Sequence, residues 1–159
     1  MSADFTIKRA IAADTPQVAA MVGELLDEIM NAIDAKAFNF DFAETTAKLE
    51  NFINSEKYFV FIARGGSGAP AGFITLYESY ALYAEGAFGT IAELYVRPEF
   101  RINKIGARLV SQVKSFGESR NWKRLEVTTP PLPEFDRTLK FYEREGFSIS
   151  GGRKLKVSL

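Results

Sequence analysis

The sequence predicts an α/β (α+β) domain built on one mixed, mostly antiparallel sheet, with residues 1–159 forming a single domain. Three observations carry that prediction. Val18, Met21, Val22, Leu25, Leu26 and Ile29 recur at helical spacing and form one apolar stripe. Tyr58 to Ala63 is a continuous apolar run suited to a buried strand, and Gly65 to Pro70 form a turn before a second run begins at Ala71. Between Ile91 and Phe116 the periodicity changes from strand to helix across a basic connector.

Taken in order, Phe5, Ile7 and Ala10-Ile11 predict a short first strand, and Asp14-Thr15-Pro16 a helix start with a capping acid and an early proline. Phe38, Phe40 and Phe42 alternate with polar residues in an aromatic loop, as core plugs or as a pocket wall. Asp41 to Glu44 has capping-box spacing, and Leu49, Phe52 and Ile53 give a second helix its buried face, ending near Asn54-Ser55. After the hairpin 58–77, residues 78–89 read as a long connection carrying Tyr80, Tyr83 and Phe88, the kind of loop that shapes a binding site.

Ile91, Leu94 and Val96 form the next strand, stopped by Pro98, which has no N–H for a ladder bond. Ile105, Leu109, Val113 and Phe116 then mark one face of a helix. Arg124 to Thr128 is a further strand. In the last helix Asp136 is placed to cap the start, Leu139 and Tyr142 to face the core, and Gly146 to end it left-handed. A final hairpin turns at Gly151-Gly152.

At 159 residues, 47% hydrophobic and 13% aromatic, the chain can fill a real core. It carries 20 basic and 20 acidic residues, so total charge identifies no partner. Their distribution is uneven: residues 1–100 hold 7 basic and 14 acidic side chains, and 101–159 hold 13 and 6. A polyphosphate held by the second part and a cationic substrate near the first would suit that split. With no cysteine and no histidine, thiolate chemistry, disulfides and Ser-His-Asp machinery are excluded, and proton transfer falls to carboxylates, tyrosines, lysines or water. No metal is expected. No apolar run approaches a membrane span and the start lacks a signal-peptide core, so a soluble cytoplasmic protein without nucleic-acid or membrane partners is the expectation.

The connector Arg101 to Ala107 leads into a helix N-terminus, where unpaired backbone N–H groups attract anions. Alone it reads equally as a phosphate-binding turn or an ordinary strand-to-helix connection. Three motifs set it in context: Glu93-Leu94-Tyr95-Val96-Arg97-Pro98-Glu99, then Arg101-Ile102-Asn103-Lys104-Ile105-Gly106, then Phe141-Tyr142-Glu143-Arg144-Glu145-Gly146-Phe147. In this order and spacing they resemble the GCN5-related N-acetyltransferase (GNAT) superfamily over nearly the whole chain.

The resemblance implies helices on both sheet faces, and a strand 90–96 that splays from a parallel strand 124–128. It also implies acetyl-coenzyme A as co-substrate, with its pantetheine arm pairing to the backbone of Leu94, Tyr95 and Val96. Arg101, Ile102, Asn103, Lys104, Ile105, Gly106 and Ala107 are the expected pyrophosphate turn. Two positions depart from the family pattern. Lys104 stands where a glycine is usual, so either it takes a positive φ or Asn103 takes the unusual angles while Lys104 enters the first helical turn. Phe135 stands where an asparagine often contacts the cofactor.

The implied reaction is acetyl transfer to a primary amine by direct transfer in a ternary complex; the alternative is a non-catalytic acyl-coenzyme A sensor or interaction module. An amine of pKa near 10.4 must lose a proton before it attacks. Glu93 is the candidate base, against the reading of a surface or ion-paired glutamate, and Tyr142 the candidate acid for the departing thiolate, against a core tyrosine. Phe38, Phe40, Tyr80 and Tyr83 are candidate acceptor-pocket residues. The acceptor is a small-molecule or protein amine, and assembly as a homodimer is left open.

Overall fold

The computed structural model describes residues 4–159, which fall into two compact units divided between Thr128 and Thr129. The first unit contains one five-stranded sheet in the order β1-β2-β3-β4-β5, formed by β1 (Thr6–Arg9), β2 (Phe59–Arg64), β3 (Pro70–Ala81), β4 (Gly86–Val96) and β5 (Leu125–Val127). The first four strands pair antiparallel in sequence order. β5 lies parallel to β4 and pairs with it over Gly89 to Ile91 alone. The helices of this unit are α1 (Thr15–Ile33), α2 (Phe42–Asn54) and α3 (Ile105–Ser119).

Strand alternation assigns the two faces. Phe59 and Phe61 point to α3, where the Phe116 ring lies 4.9 and 5.5 Å from theirs. Their register partners Leu76 and Ile74 share that side and are fully buried, as are Ile105, Leu109 and Val113 of α3. On the opposite face the Tyr95 hydroxyl donates to Glu24 of α1 at 3.3 Å, and Phe52 of α2 packs 5.1 Å from Tyr58. Val18, Met21, Leu25 and Ile29 of the α1 stripe are buried, while Val22 and Leu26 are half-buried. Each such apolar side chain contributes about 1.5–3 kcal/mol when fully buried. α2 starts as its sequence predicts, with the Asp41 carboxylate accepting the Glu44 N–H at 2.8 Å.

Several local expectations are corrected. Residues 78–89 are not a long connection: β3 runs to Ala81 and β4 begins at Gly86, joined by a short 3-10 turn. Ladder bonds decide this where hydropathy does not, because Glu78, Ser79 and Tyr80 pair with Gly89, Phe88 and Ala87 on a partly solvated ribbon. Asp14 does not cap α1. Its carboxylate accepts the Ile11 N–H at 2.9 Å and meets the Arg64 guanidinium at 2.9 Å. Phe38, Phe40 and Phe42 are not core plugs, being 37%, 38% and 48% exposed, and Phe40 lies over Gly23 of α1.

In the second unit α4 spans Asp136–Arg144. Phe135 holds its N-cap position and no side chain caps it, so Asp136 acts through its charge in the first turn rather than as the cap. Gly146 has φ 98° and ends the helix left-handed, as predicted. Residues 148–159 form no strand, so the expected hairpin at Gly151-Gly152 is absent among the described residues. No described helix is long and apolar enough to cross a membrane.

Candidate active site

The end of β4 is reshaped by one extra residue. Thr75 pairs with Glu93 and Leu76 with Ile91, which leaves Ala92 without a partner as a bulge. Gly89 N–H donates to the Arg124 carbonyl on the β5 side at 3.0 Å, whereas Arg97 N–H donates to the Ala71 carbonyl on the β3 side at 2.8 Å. Because backbone groups alternate along a strand, the bulge moves the set that faces away from β3 from Gly89 and Ile91 to Leu94 and Val96. β5 stops at Val127, opposite Ile91. Leu94 and Val96 therefore present backbone groups at an edge where no described strand lies.

Beyond β4 a 3-10 turn covers Pro98–Asn103, and Lys104 takes φ 57° and ψ 29° before α3 begins at Ile105. Of the two backbone readings, the strain falls on Lys104 itself; it is neither in the first helical turn nor relieved by Asn103. The first backbone bond of α3 runs from Arg108 N–H to the Lys104 carbonyl at 3.2 Å, and no side chain caps the helix. The N–H groups of Ile105, Gly106 and Ala107 thus lie at an uncapped positive helix end, a donor set that fits a diphosphate.

Arg101 is engaged elsewhere. Its Nε donates to the Val96 carbonyl at 2.8 Å and its guanidinium pairs with Glu28 of α1 at 2.6 Å. Arg97 makes a bidentate pair with Glu24 at 3.1 and 2.9 Å and also donates to the Pro70 carbonyl at 3.0 Å. The two arginines tie the end of β4 and the following turn to α1, which holds the backbone edge in place. Ile102 is 90% exposed on the outer side of the turn.

Glu93 projects from the bulge toward the α1 and α2 face. The Thr75 hydroxyl donates to its Oε1, its own N–H donates to the Thr75 Oγ1 at 3.0 Å, and the Tyr58 hydroxyl approaches Oε2 at 3.4 Å. Burial pushes the Glu93 carboxyl above the usual carboxylate range, while the Thr75 and Tyr58 hydrogen bonds pull it down. Burial and the neighbouring Glu93 charge push the Tyr58 phenol well above its ordinary value, so it remains a hydrogen-bond donor.

Beside these residues lies a pocket of about 340 Å³ lined by Phe52, Glu56, Lys57, Tyr58, Tyr77, Glu78 and Tyr80. It exists because β3 continues past Leu76, the partner of the first β2 residue, and leaves Tyr77 to Tyr80 unpaired on that side. Of the aromatic residues expected to line an acceptor pocket, Tyr80 is in this wall. Phe38 and Phe40 lie in the α1–α2 loop, and the Tyr83 ring packs under Arg124 at 5.4 Å. Sequence reasoning missed Thr75, Tyr58 and Tyr77. Tyr58 and Tyr77 fall at the two ends of the predicted hairpin, and only the register sets them opposite one another.

In the second unit Tyr142 is buried, its ring edge-on to Phe141 and Phe147 at 5.2 and 5.3 Å. Burial raises its hydroxyl pKa, so it stays protonated at neutral pH. Among the described residues no group of three acidic side chains is placed to hold a metal ion.

The family model of the Acetyltransferase (GNAT) family matches residues 24–147. The chain belongs to that family. It is an acetyl-coenzyme A-dependent N-acetyltransferase, and the uncapped α3 terminus and open β4 edge fit that co-substrate. An aminoalkylphosphonate N-acetyltransferase of Salmonella typhimurium is 29% identical over 151 residues, covering 95% of this chain and 90% of the relative. An integron cassette protein from the mobile metagenome of Cole Harbour salt marsh has a TM-score of 0.80 at 20% identity, covering 96% and 90% of the two chains. A predicted acetyltransferase from Clostridium acetobutylicum, solved with acetyl-coenzyme A, has a TM-score of 0.78 at 16% identity over 98% and 96%. An aminoglycoside acetyltransferase from an uncultured soil metagenomic sample, in complex with sisomicin, has a TM-score of 0.77 at 18% identity over 98% and 96%. These three structures share the GNAT fold.

Proposed function

We propose that this GNAT member acetylates the primary amine of a small molecule by direct transfer, with both substrates bound at once. The observation that carries the reading is Glu93. A carboxyl of raised pKa stands at the bulge, next to the strand edge that the co-substrate's arm would join. The names of the Salmonella relative and of the sisomicin-bound neighbour favour a small amine acceptor over a protein.

Acetyl-coenzyme A supplies the activated acetyl thioester. The backbone of Leu94 and the N–H of Val96, whose carbonyl is held by Arg101, pair with its amide arm, and the N–H groups of Ile105 to Ala107 hold the diphosphate. Lys104, exposed at the left-handed position, adds its ammonium to that end. Glu93 accepts the proton that the acceptor ammonium must lose, directly or through water, with Thr75 and Tyr58 fixing its orientation. Tyr142 donates its proton to the departing thiolate; its place in the Phe141-to-Phe147 motif and the burial that keeps it protonated support the role. The family match runs across both units, which supports one catalytic domain over residues 1–159. Without cysteine in the chain an acyl-thiol enzyme is excluded, which favours the ternary complex.

The protein's lack of thiols makes the test direct. Acetyl-coenzyme A is mixed with pooled small amines and thiol release is followed with a thiol reagent. Amine-dependent release that falls by about 10²-fold in Glu93→Gln is the expected result. Release that ignores the amine, or an unchanged rate and pH profile in Glu93→Gln, would overturn the assignment.

A further inference from the structure

We infer that the pocket beside the start of β2 is the acceptor subsite, and that it selects a cationic amine on an uncharged frame over amines bearing a phosphonate, phosphate or carboxylate. This rests on the proposed transfer to an amine and names its substrate class.

Position comes first. Tyr58 is both a wall of the pocket and a hydrogen-bond partner of Glu93, so one side chain joins the cavity to the proposed base. Its ring stacks nearly parallel with Tyr77, 8° and 6.2 Å apart, and tilts against Phe52 at 5.1 Å. With Tyr80 these rings make four aromatic surfaces around a space of about 340 Å³, sized for a short alkyl chain or one sugar ring. Aromatic faces attract ammonium groups and repel anions.

Charge points the same way. Glu56 and Glu78 line the pocket against the single ammonium of Lys57. Hydrogen bonds from the Tyr80 hydroxyl and from the Trp122 indole N–H, the latter at 2.6 Å, with the Arg120 guanidinium 3.8 Å away, hold the Glu78 carboxyl ionised below its usual range. Glu56 faces Arg9 at 3.7 Å, but both side chains are largely exposed and screened. An anionic substituent would meet four ring faces and two lining carboxylates, each already facing one guanidinium from outside the pocket wall, with Lys57 as the one cation in the wall itself. A second ammonium or a hydroxyl meets complementary groups. The phosphonate in the name of the Salmonella relative therefore does not transfer to this pocket.

The test compares three acceptors of similar length at one pH and ionic strength: diaminobutane, aminobutanol and aminopropylphosphonate. We expect kcat/KM for the diamine to exceed that for the phosphonate by about tenfold or more, with the alcohol between them. Glu56→Lys, a surface change that leaves the core intact, should narrow that ratio by about threefold through the acceptor KM, with the acetyl-coenzyme A KM unchanged. Tyr77→Phe should keep the preference, and Tyr77→Ala should raise the acceptor KM. Turnover of all three amines with the phosphonate equal or preferred, or with the ratio untouched by Glu56→Lys, overturns the inference and leaves the acetyltransferase reading standing. Acetyl-coenzyme A binding without turnover of any amine overturns that reading, and the inference with it.

Discussion

Replacing Lys104 separates backbone strain from charge at the co-substrate turn. The residue sits at φ 57° and ψ 29°, in the left-handed region, and enters α3 with no side-chain cap. For an L-residue that conformation costs roughly 1–2 kcal/mol, whereas glycine adopts it freely. Glycine also loses about 0.4–1 kcal/mol through the greater freedom of its unfolded chain. The net effect of Lys104→Gly is a stabilisation of roughly 0.5–1 kcal/mol, or about 2 °C in Tm for a chain of this size. Lys104→Ala keeps the strain and should leave Tm near wild type. Both variants remove the ammonium proposed to face the diphosphate. An exposed pair contributes at most about 1 kcal/mol, so both should weaken acetyl-coenzyme A binding by up to about fivefold at low salt, with the difference fading at high salt. Thermal unfolding and calorimetric titration of the three proteins decide the matter. If the glycine variant is no more stable than the alanine variant, the strain argument fails. If both bind as tightly as wild type at low salt, the charge argument fails.

Other consequences of the geometry are open to measurement. The raised Glu93 carboxyl means that the folded chain holds a proton the unfolded chain has released. Its contribution to stability is therefore complete below the ordinary carboxylate pKa of about 4.3 and is lost as pH rises through the higher folded value. Glu93→Gln should gain Tm relative to wild type as pH increases while losing activity, and a parallel Tm–pH curve for the two proteins would contradict this. Tyr142→Phe, which keeps the ring packing on Phe141 and Phe147, should lower kcat by about 10²-fold with an unchanged Tm; full kcat in a folded variant would remove Tyr142 as the acid. In Gly72→Ala the new Cβ would stand 2.6 Å from the Tyr95 carbonyl oxygen and 3.1 Å from Val96 Cα, both backbone. Separating β3 from β4 there should cost about 1–3 kcal/mol by chemical denaturation and weaken acetyl-coenzyme A binding, since the same strand end carries the open edge.

Much of this was legible along the chain. The α1 stripe, the Asp41 cap of α2, the Gly65-to-Pro70 turn, the strand-to-helix switch at Pro98 and the left-handed Gly146 are local features, set by side-chain periodicity and by the backbone limits of glycine and proline. The three ordered motifs identified the family for the same reason: each is a short run whose spacing survives without knowledge of the fold.

What the sequence determined by itself was the family and most of the helices and strands, though not the ladder across 78–89 or the absence of strand after Phe147. Tertiary structure alone decided the rest, because the deciding quantities belong to pairs of residues far apart in the chain. The bulge at Ala92 is visible only against the β3 register, and it is what turns Leu94 and Val96 to the open edge. Arg101 belongs to its motif by spacing, but its pairing with Glu28, far earlier in the chain, is visible only in the fold. The polar hairpin arms at 78–89 hid their ladder behind loop-like composition. Tyr58, Thr75 and Tyr77 became parts of a site only when pairing laid three strands side by side, since burial, register and charge neighbourhood are properties of the folded surface.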